Sequence, residues 1–210
     1  MVATDAHIAS SLGRSLIALE YSTLVEGSPL LFGISTLSDL SKIVTDRLLL
    51  TPLLVDDADE MVEVLADPSL HEFTGGEPAM LDKLRDRYRS FVRGSGRDTE
   101  LWLNWIVRRR DDETAIGTMQ ATVMNPDDEP AAFVAWTIGV DWQGHGYATE
   151  ATIALVQWLE EHDVDSILAH IHPDHAASAI VATRAGLWPT ADVVDGEIVW
   201  RLPRPADQSV

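Results

Sequence analysis

Apolar residues in the 210-residue chain are grouped at spacings that predict strands and helices from residue 45 onward. The run "TDRLLLTPLL" (45–54) is compact, apolar and marked by a proline, which is typical of a strand that ends in a turn. The next apolar positions recur at helical spacing; they are Ala58, Met61, Val62 and Leu65. This pattern predicts a helix that stops at Pro68, and a second helix fits Met80–Val92 before "GSG".

Three strands and the longest helix are predicted in the centre of the chain. "LWLNWIVRRR" (101–110) and "TAIGTMQATVM" (114–124) read as strands joined by a polar turn. "AAFVAWTIGV" (131–140) has little polar content, so we expect a strand that is buried on both faces. The helix that follows has an apolar stripe formed by Tyr147, Ala151, Ala154, Leu155, Trp158 and Leu159.

The remaining segments complete one mixed α/β domain. "DSILAHIH" (165–172) predicts a strand, and residues 173–186 predict a helix whose C-terminus is capped by Gly186. Two strands, around Leu187–Val194 and Glu197–Leu202, are joined by a turn at residues 195–196. The order is strand, two helices, three strands, helix, strand, helix and two strands.

The domain boundaries follow from a change in composition near residue 45. Residues 1–44 are predicted to be an N-terminal extension of uncertain structure with a helical segment near Ile8–Tyr21. Residues 45–204 are predicted to form the domain, and residues 205–210 a C-terminal tail. No apolar run approaches eighteen residues, and the N-terminus lacks the pattern of a signal peptide. The chain has no cysteine. These features fit a cytoplasmic protein without disulfides or thiolate metal sites.

The charge is strongly negative and uneven. The formal net charge of −19 disfavours nucleic acid and anionic membranes and favours cationic partners such as amines. Nine of the fifteen basic residues nevertheless lie between Lys83 and Arg110. They predict either a solvated helix face followed by a hairpin tip or a patch that faces substrate or phosphate.

A glycine turn joins the strand at 131–140 to the longest helix. In "DWQGHGYATEA" (141–151), Gly144 and Gly146 allow close approach of a ligand to the main chain. The helix N-terminus directs free N–H groups and the positive end of its dipole into this turn. Such a turn is either a tight connection or a site for phosphate or diphosphate.

Three phosphate-binding motifs are candidates for this turn. The ATPase P-loop requires a lysine and a spacing that are missing here. A dinucleotide fingerprint would need a third glycine at Thr149 and preceding βαβ units. The pattern Q-x-x-G-x-[GA] remains, and it is filled by Gln143, Gly146 and Ala148.

At these residues the chain resembles the GNAT superfamily of acyl-CoA-dependent N-acyltransferases, most of all its branch related to ribosomal-protein N-terminal acetyltransferases. The opening strand "TDRLLLTPL" is similar to the family's T-x-R-L-x-L-R-P, and "YATEA" after the turn is typical of the branch. The last helix, "HAASAIVATRAGL", is similar to N-x-x-S-x-x-V-A-x-K-x-G-[FL]; Ser178, Val181, Ala182, Gly186 and Leu187 match, and Arg184 replaces the lysine. The resemblance covers about residues 45–202, with the three motifs in order.

The resemblance implies a fold, a co-substrate and a set of binding residues. The fold would be a mostly antiparallel central sheet flanked by helices. Acetyl-CoA would lie across the turn, with its diphosphate on main-chain amides and its pantetheine along the edge of the preceding strand. The implied cofactor-binding residues are Ile138, Gly139, Val140, Gln143, Gly144, His145, Gly146, Tyr147, Ala148 and His175, the last at the family's asparagine position.

The string "HIHPDH" (170–175) matches the H-x-H-x-D-H ligand pattern of the metallo-β-lactamase superfamily. A zinc hydrolase of that kind needs further ligands downstream, including a histidine, and no histidine follows His175. We therefore predict no metal, with His170 and His172 on one strand face and His175 at the start of the next helix.

Two proton transfers must accompany attack of an amine on a thioester. The resemblance suggests Ser178 as the proton donor to the departing thiolate. The alternative is a serine near the helix terminus that bonds the backbone or the cofactor, and the sequence fits both roles equally. Relatives often carry a glutamate base at the position of Phe133, so the base is open among His71, Glu72 and His172.

The missing carboxylate favours an acceptor of low pKa. At pH 7 roughly a tenth of an α-amine is neutral, whereas less than about a thousandth of a lysine amine is neutral. The two amines differ by about 3.5 kcal/mol in the free energy of deprotonation. The sequence thus predicts an acetyl-CoA-dependent N-acetyltransferase acting on a peptide, protein or small-molecule amine. The alternative is a non-catalytic acyl-CoA-binding module on the same fold. A homodimer is compatible with an open sheet edge and the extension.

Overall fold

The computed structural model describes residues 40–124, 130–164 and 166–203. The strands in these ranges are β1 Ile43–Val44, β2 Leu48–Pro52, β3 Glu100–Arg109, β4 Ala115–Met124, β5 Ala131–Ile138, β6 Ser166–Ile171, β7 Trp188–Val194 and β8 Glu197–Arg201. The α-helices are α1 Ala58–Val64, α2 Leu81–Arg93, α3 Tyr147–Glu160 and α4 Ala176–Arg184. Short 3₁₀ turns occur at Val55–Asp57, Pro68–His71 and Val140–Trp142.

The strands form one sheet in the order β1-β2-β3-β4-β5-β6-β8-β7. Every neighbouring pair is antiparallel except β5 and β6. The predicted fold class, a mixed α/β domain with a mostly antiparallel sheet flanked by helices, is confirmed. In the described residues the sheet begins at Ile43 of β1, two residues before the predicted boundary at 45. The predicted helix near Ile8–Tyr21 and the predicted tail at 205–210 lie outside the described residues.

Successive side chains of β3 belong to hydrophobic clusters on opposite faces of the sheet. Trp105 packs with Leu155 and Leu159 of α3 on one face of the sheet. Its neighbour Ile106 packs with Met61 of α1 and Tyr88 of α2 on the other face. Because successive side chains of a strand point to opposite faces, α3 and the α1–α2 pair cover opposite sides of the sheet.

Strands β5 and β6 pair only at their beginnings. The parallel register runs from Ala131 opposite Ser166 to Phe133 opposite Leu168, and no further pair follows in the described residues. Two predictions about residues 131–140 are therefore wrong. The strand ends at Ile138, where the 3₁₀ turn starts, and residues 135–137 are only partly buried because β6 diverges from them.

On its other edge, β5 lies unusually close to β4. A Cβ atom on Gly117 of β4 would lie 2.2 Å from the carbonyl oxygen of Thr137, so only glycine allows this approach. The Gly139 N–H also donates to the carbonyl of Ile116, which extends the β4–β5 ladder. The end of β5 is thus bonded to β4 and open toward β6.

None of the helices within residues 40–124, 130–164 and 166–203 has the length and apolar content to cross a membrane.

Candidate active site

The loop after β5 has the conformation that glycine allows. Gly144 and Gly146 have φ values of +77° and +80°, a region that side chains with a Cβ rarely adopt. A Cβ on Gly144 would meet nothing within 4 Å, so the open space above it is free for a ligand. The loop from Gln143 to Gly146 therefore exposes its main chain.

The first amides of α3 lack a capping side chain. Gly146 is the N-cap and has no side chain to accept from them. The Glu150 N–H donates to the carbonyl of Gly146 at 3.0 Å, which leaves the amides of Tyr147, Ala148 and Thr149 ahead of that first helical bond. These N–H groups and the helix dipole form a site of positive potential that suits an anion.

A clamp formed by Thr45, Arg47 and Glu150 fixes this loop from the side of β2. The Glu150 carboxylate accepts from the Thr45 hydroxyl at 2.6 Å and from the Arg47 side chain at 2.6 Å. The same guanidinium donates to the carbonyl of His145 at 3.0 Å. Arg47 thereby neutralises an acid in the first turn of α3 and holds the loop in place.

The electrostatics of the clamp keep Glu150 ionised. Burial raises the pKa of Glu150, but the hydrogen bonds from Thr45 and Arg47 outweigh burial and lower it below its usual value. The Arg47 guanidinium lies 4.8 Å from the centre of the Tyr147 ring, which stacks with His145. Without Arg47, the Glu150 carboxylate in the first turn of α3 would lose its ion-pair partner.

A cleft of about 320 Å³ lies between the loop and α4. It brings together most of the predicted site residues; those lining it are Ile138, Gln143, Gly144, Gly146, Tyr147, Ala148, His175 and Ser178. The structure does not place Gly139, Val140 or His145 in its wall. Val140 is exposed in a neighbouring groove, and His145 Nδ1 lies 2.8 Å from the carbonyl of Gln143.

Two hydrogen bonds restrict what the end of β5 can offer a ligand. The Ile138 carbonyl accepts from the Gln143 side chain at 2.9 Å, and the Gly139 N–H is held by β4. The Gly139 amide therefore has an acceptor already, and Ile138 is the predicted strand-edge residue that lines the cleft.

His175 and Ser178 form a pair in the wall of the cleft. His175 caps α4: its Nδ1 accepts from the Ser178 N–H at 3.5 Å, a long contact, and its Nε2 lies 3.1 Å from the Ser178 hydroxyl. Because Nδ1 faces a donor, the neutral ring carries its proton on Nε2 and donates it to the serine oxygen. In this arrangement the Ser178 oxygen is the acceptor of the pair.

Burial lowers the pKa of His175 below its usual value, an effect that Glu72 opposes and His172 reinforces. The Phe73 ring stacks on His175 with a centroid distance of 4.4 Å and excludes water from one face of the imidazole. A neutral His175 at pH 7 is consistent with its role as a cap, since a neutral ring retains an acceptor nitrogen.

The histidine string is not assembled as a metal site. His170 meets the ring of Phe133 edge-on, and burial lowers its pKa. His172 Nδ1 accepts from the Asp174 N–H, and its ring lies against Phe73. Within the described ranges, no group of three or more potential ligands is arranged to hold a metal ion.

The candidate bases differ in environment. Glu72 is exposed, and Nδ1 of His172 already accepts a backbone hydrogen bond. His71 lies at the end of the Pro68–His71 turn, and its Nδ1 is buried without a hydrogen-bond partner.

Most of the basic cluster lies in ion pairs. Arg85 bonds Asp59, Arg89 bonds Asp86, and Arg108 bonds Asp57 and Glu60. This agrees with the predicted solvated face and hairpin tip for those residues. Arg109 pairs with Asp111 and Asp112, and together with Arg110 it also lines a groove beside Tyr147. Arg87 lines a cavity beneath α2.

Sequence reasoning missed Arg47 and Arg184 as site residues. Arg184 lines the cleft from the last turn of α4. Both belong to motifs that were recognised, "TDRLLL" and "VATRAGL", and a basic residue in each motif was the available signal. The motifs alone did not show that Arg47 bonds the glycine turn or that Arg184 lines the cleft.

The family is established by a sequence profile. The profile described as "Acetyltransferase (GNAT) domain" matches residues 47–187, more than half of the chain. The chain therefore belongs to the GNAT acetyltransferase family. A comparison with curated protein sequences gave no match.

Solved structures support the same fold. A putative ribosomal-protein-serine acetyltransferase from Vibrio cholerae is 21% identical, with 77% of this chain and 97% of that chain covered and a TM-score of 0.61. The ribosomal L7/L12 α-N-protein acetyltransferase RimL, solved with coenzyme A, is 15% identical (77% and 96% covered, TM-score 0.63). AAC(6')-Ib, solved with paromomycin and acetyl-CoA, is 18% identical with the same coverage and TM-score.

Family membership makes the protein an acyltransferase and acetyl-CoA its co-substrate, as the resemblance of its three motifs implied. The loop from Gln143 to Gly146 leads into uncapped N–H groups at the start of α3, a geometry that suits an anion. The residue roles within the cleft remain predictions.

The clamp can be tested by replacing Arg47 with Gln. We expect Arg47→Gln to weaken acetyl-CoA binding about tenfold, because the loop loses its bond at His145 and Glu150 is left uncompensated. Calorimetric titration measures the dissociation constant. Arg85→Gln is the matched control, since it breaks an Arg–Asp pair with the same charge change away from the loop. Equal effects of the two substitutions would contradict a specific role for Arg47.

Proposed function

We propose that the protein transfers the acetyl group of acetyl-CoA to a primary amine, either the α-amine of a peptide or protein or a small-molecule amine. The observation that carries the proposal is the loop from Gln143 to Gly146 leading into uncapped amides of α3, at the mouth of a cleft that also holds Ser178. The diphosphate of the coenzyme would lie on these amides.

Local cations support binding of the polyanionic coenzyme by an acidic chain. Arg184 lines the cleft, and the groove beside Tyr147 is lined by three arginines together with two aspartates; they are Arg47, Arg109, Arg110, Asp46 and Asp111. Screening limits the repulsion of distant carboxylates, because the Debye length is about 8 Å at physiological ionic strength. Because Arg47 and Arg109 have carboxylate partners of their own, the main-chain amides at the start of α3 would be the principal donors to the diphosphate.

The pantetheine arm would follow β5 where β6 has diverged. Residues 136–138 line the cleft, since the β5–β6 register ends at Phe133 and leaves this edge of β5 without a neighbouring strand in the described residues. This directs the thioester toward Ile138 and toward the His175–Ser178 pair on the opposite wall. Of the predicted strand-edge contacts, we favour Ile138 over Gly139 because the Gly139 amide is bonded within the sheet.

The reaction needs one proton removed and one supplied. The neutral amine attacks the thioester carbon, a C–N bond forms, and the C–S bond breaks to release the thiolate. We assign proton removal to His71, whose buried Nδ1 has no hydrogen-bond partner. We assign proton donation to the Ser178 hydroxyl, which His175 Nε2 polarises by donating to its oxygen. Ser178 then regains a proton from solvent and His71 releases its proton to solvent, so that overall the amine nitrogen loses one proton and the coenzyme sulfur gains one.

The class of amine follows from the weakness of this base. An imidazole cannot deprotonate a lysine ammonium efficiently, whereas an α-amine is roughly a tenth neutral at pH 7 without help. The free energy of deprotonation is about 3.5 kcal/mol lower for an α-amine than for a lysine amine, which favours α-amines and other amines of low pKa.

An acceptor screen tests the proposal. Thiol release from acetyl-CoA is followed with a panel of α-amines and ε-amines between pH 6.5 and 9, with the full chain. We expect thiol release with α-amines, and a smaller preference over ε-amines as the pH rises. A clear preference for ε-amines at neutral pH would refute the assignment of amine class. Acetyl-CoA that binds without transfer to any amine in a single turnover would support the non-catalytic binding module instead.

Ser178→Ala tests the proton donor. We expect kcat to fall on the order of 10²-fold, with the KM for acetyl-CoA nearly unchanged, because the hydroxyl acts as the thiolate departs. Thr183→Ala, on the same helix and outside the cleft wall, is the control for general effects on α4. A lower melting temperature with unchanged kcat would show that Ser178 only stabilises the first turn of α4.

A further inference from the structure

The side chain of Phe73 connects two separate parts of the site. It belongs to a bridging segment, residues 70–75, which leads from the Pro68–His71 turn toward α2. Its ring stacks on His175 with a centroid distance of 4.4 Å and an interplanar angle of 23°. The same ring lies 5.3 Å from the ring of His172. One side chain thus joins the bridging segment to the connection between β6 and α4.

The hydrogen bonds of the bridging segment are local. The Gly75 N–H donates to the carbonyl of His71 at 2.8 Å, and the Thr74 hydroxyl donates to the carbonyl of Leu70 at 3.5 Å. These bonds fix the shape of the segment but not its position relative to α4. Contact with the cap of α4 is made by the ring of Phe73.

The orientation of the His175 ring depends on this contact. The χ2 torsion of histidine is broad, so the side chain alone does not fix the plane of its ring. The bond from the Ser178 N–H to Nδ1 is 3.5 Å long and constrains the plane only weakly. The stacked ring of Phe73 restricts the plane, and within it Nε2 lies 3.1 Å from the Ser178 hydroxyl.

The surroundings of His175 favour its neutral form. Burial lowers its pKa, Glu72 on the bridging segment opposes this effect, and His172 reinforces it. Asp174 faces His172, and Arg184 lines the same cleft. Because the stacked phenyl ring covers one face of the imidazole, its removal would admit water and raise the pKa toward the ordinary value.

We propose that Phe73 is a positioning residue that acts through His175 on the Ser178 hydroxyl. This inference rests on the proposed function, in which His71 and Ser178 carry the two proton transfers. His71 belongs to the same bridging segment as Phe73, whereas Ser178 lies in the first turn of α4. The stack between Phe73 and His175 thereby sets the distance between the two groups that move protons.

A double-mutant cycle tests the coupling. Phe73→Leu is measured alone and together with His175→Asn, since asparagine can still cap α4 but presents no imidazole to stack. We expect Phe73→Leu alone to lower kcat about tenfold, with the KM for acetyl-CoA changed less than about threefold. The double variant should be as active as His175→Asn alone, within about twofold. Phe73→Tyr keeps the ring and should retain the parental kcat.

The titration of His175 gives a second readout, which does not need turnover. Its ring protons are followed by NMR and identified by their absence in His175→Asn. We expect a higher titration midpoint in Phe73→Leu than in the parent, because the exposed imidazole is protonated more easily. Protonation removes the acceptor nitrogen that caps α4, so the loss of kcat in Phe73→Leu should be larger at about pH 6 than at about pH 8.

Phe91→Leu is the matched control. It makes the same change at another partly buried phenylalanine, whose ring stacks on Tyr88 and meets Trp102 edge-on. We expect a similar decrease in melting temperature but an unchanged titration of His175. Any effect on kcat should be the same with and without His175→Asn, because these rings do not contact the imidazole.

The outcomes separate this inference from the proposed function. If Phe73→Leu lowers kcat by the same factor in both backgrounds, or leaves the midpoint of His175 unchanged, the positioning role is overturned while amine acetylation stands. If the parent acetylates no amine in the panel, the proposed function is overturned. A raised midpoint in Phe73→Leu then still supports positioning of the His175 ring, and an unchanged midpoint overturns that as well.

Discussion

The amides at the start of α3 cannot find acceptors within the helix, and the rest of the site depends on that constraint. Any helix leaves its first N–H groups without intrahelical partners, and most helices satisfy them with a polar side chain. Here the N-cap is Gly146, which has none. The glycine also permits the positive φ that turns the loop toward the cleft. The donors are therefore positioned for an external anion.

The surrounding structure makes this arrangement compatible with an acidic chain. The Thr45–Arg47–Glu150 clamp neutralises the carboxylate nearest the amides and fixes the carbonyl of His145. Divergence of β6 from β5 then opens a cleft beside the loop, whereas the close approach at Gly117 keeps β5 bonded to β4. β5 thus presents its edge to the cleft beside the glycine loop and takes part in the wall of the cavity beneath α2.

The elements that local patterns determine could be predicted from the sequence. The glycine turn, the stripe of α3, the α4 helix with Gly186 after it and the 195–196 turn all depend on neighbouring residues, and the structure has them. The Arg47–Glu150 bond spans 103 residues, so no local pattern indicates it. Periodicity likewise could not tell which arginine of α2 faces the cavity, because Arg85 and Arg89 flank Arg87 with the same residue type. The partial exposure of β5 arises from its neighbour β6, not from its own apolar sequence.

The backbone amide spectrum of the protein during titration with coenzyme A tests the central claim most directly. We predict that the resonances of Gly144, Gly146, Tyr147 and Ala148 shift most and saturate together, because their N–H groups bind the diphosphate. Unchanged resonances for these residues, while amides elsewhere shift with the same ligand, would contradict the account.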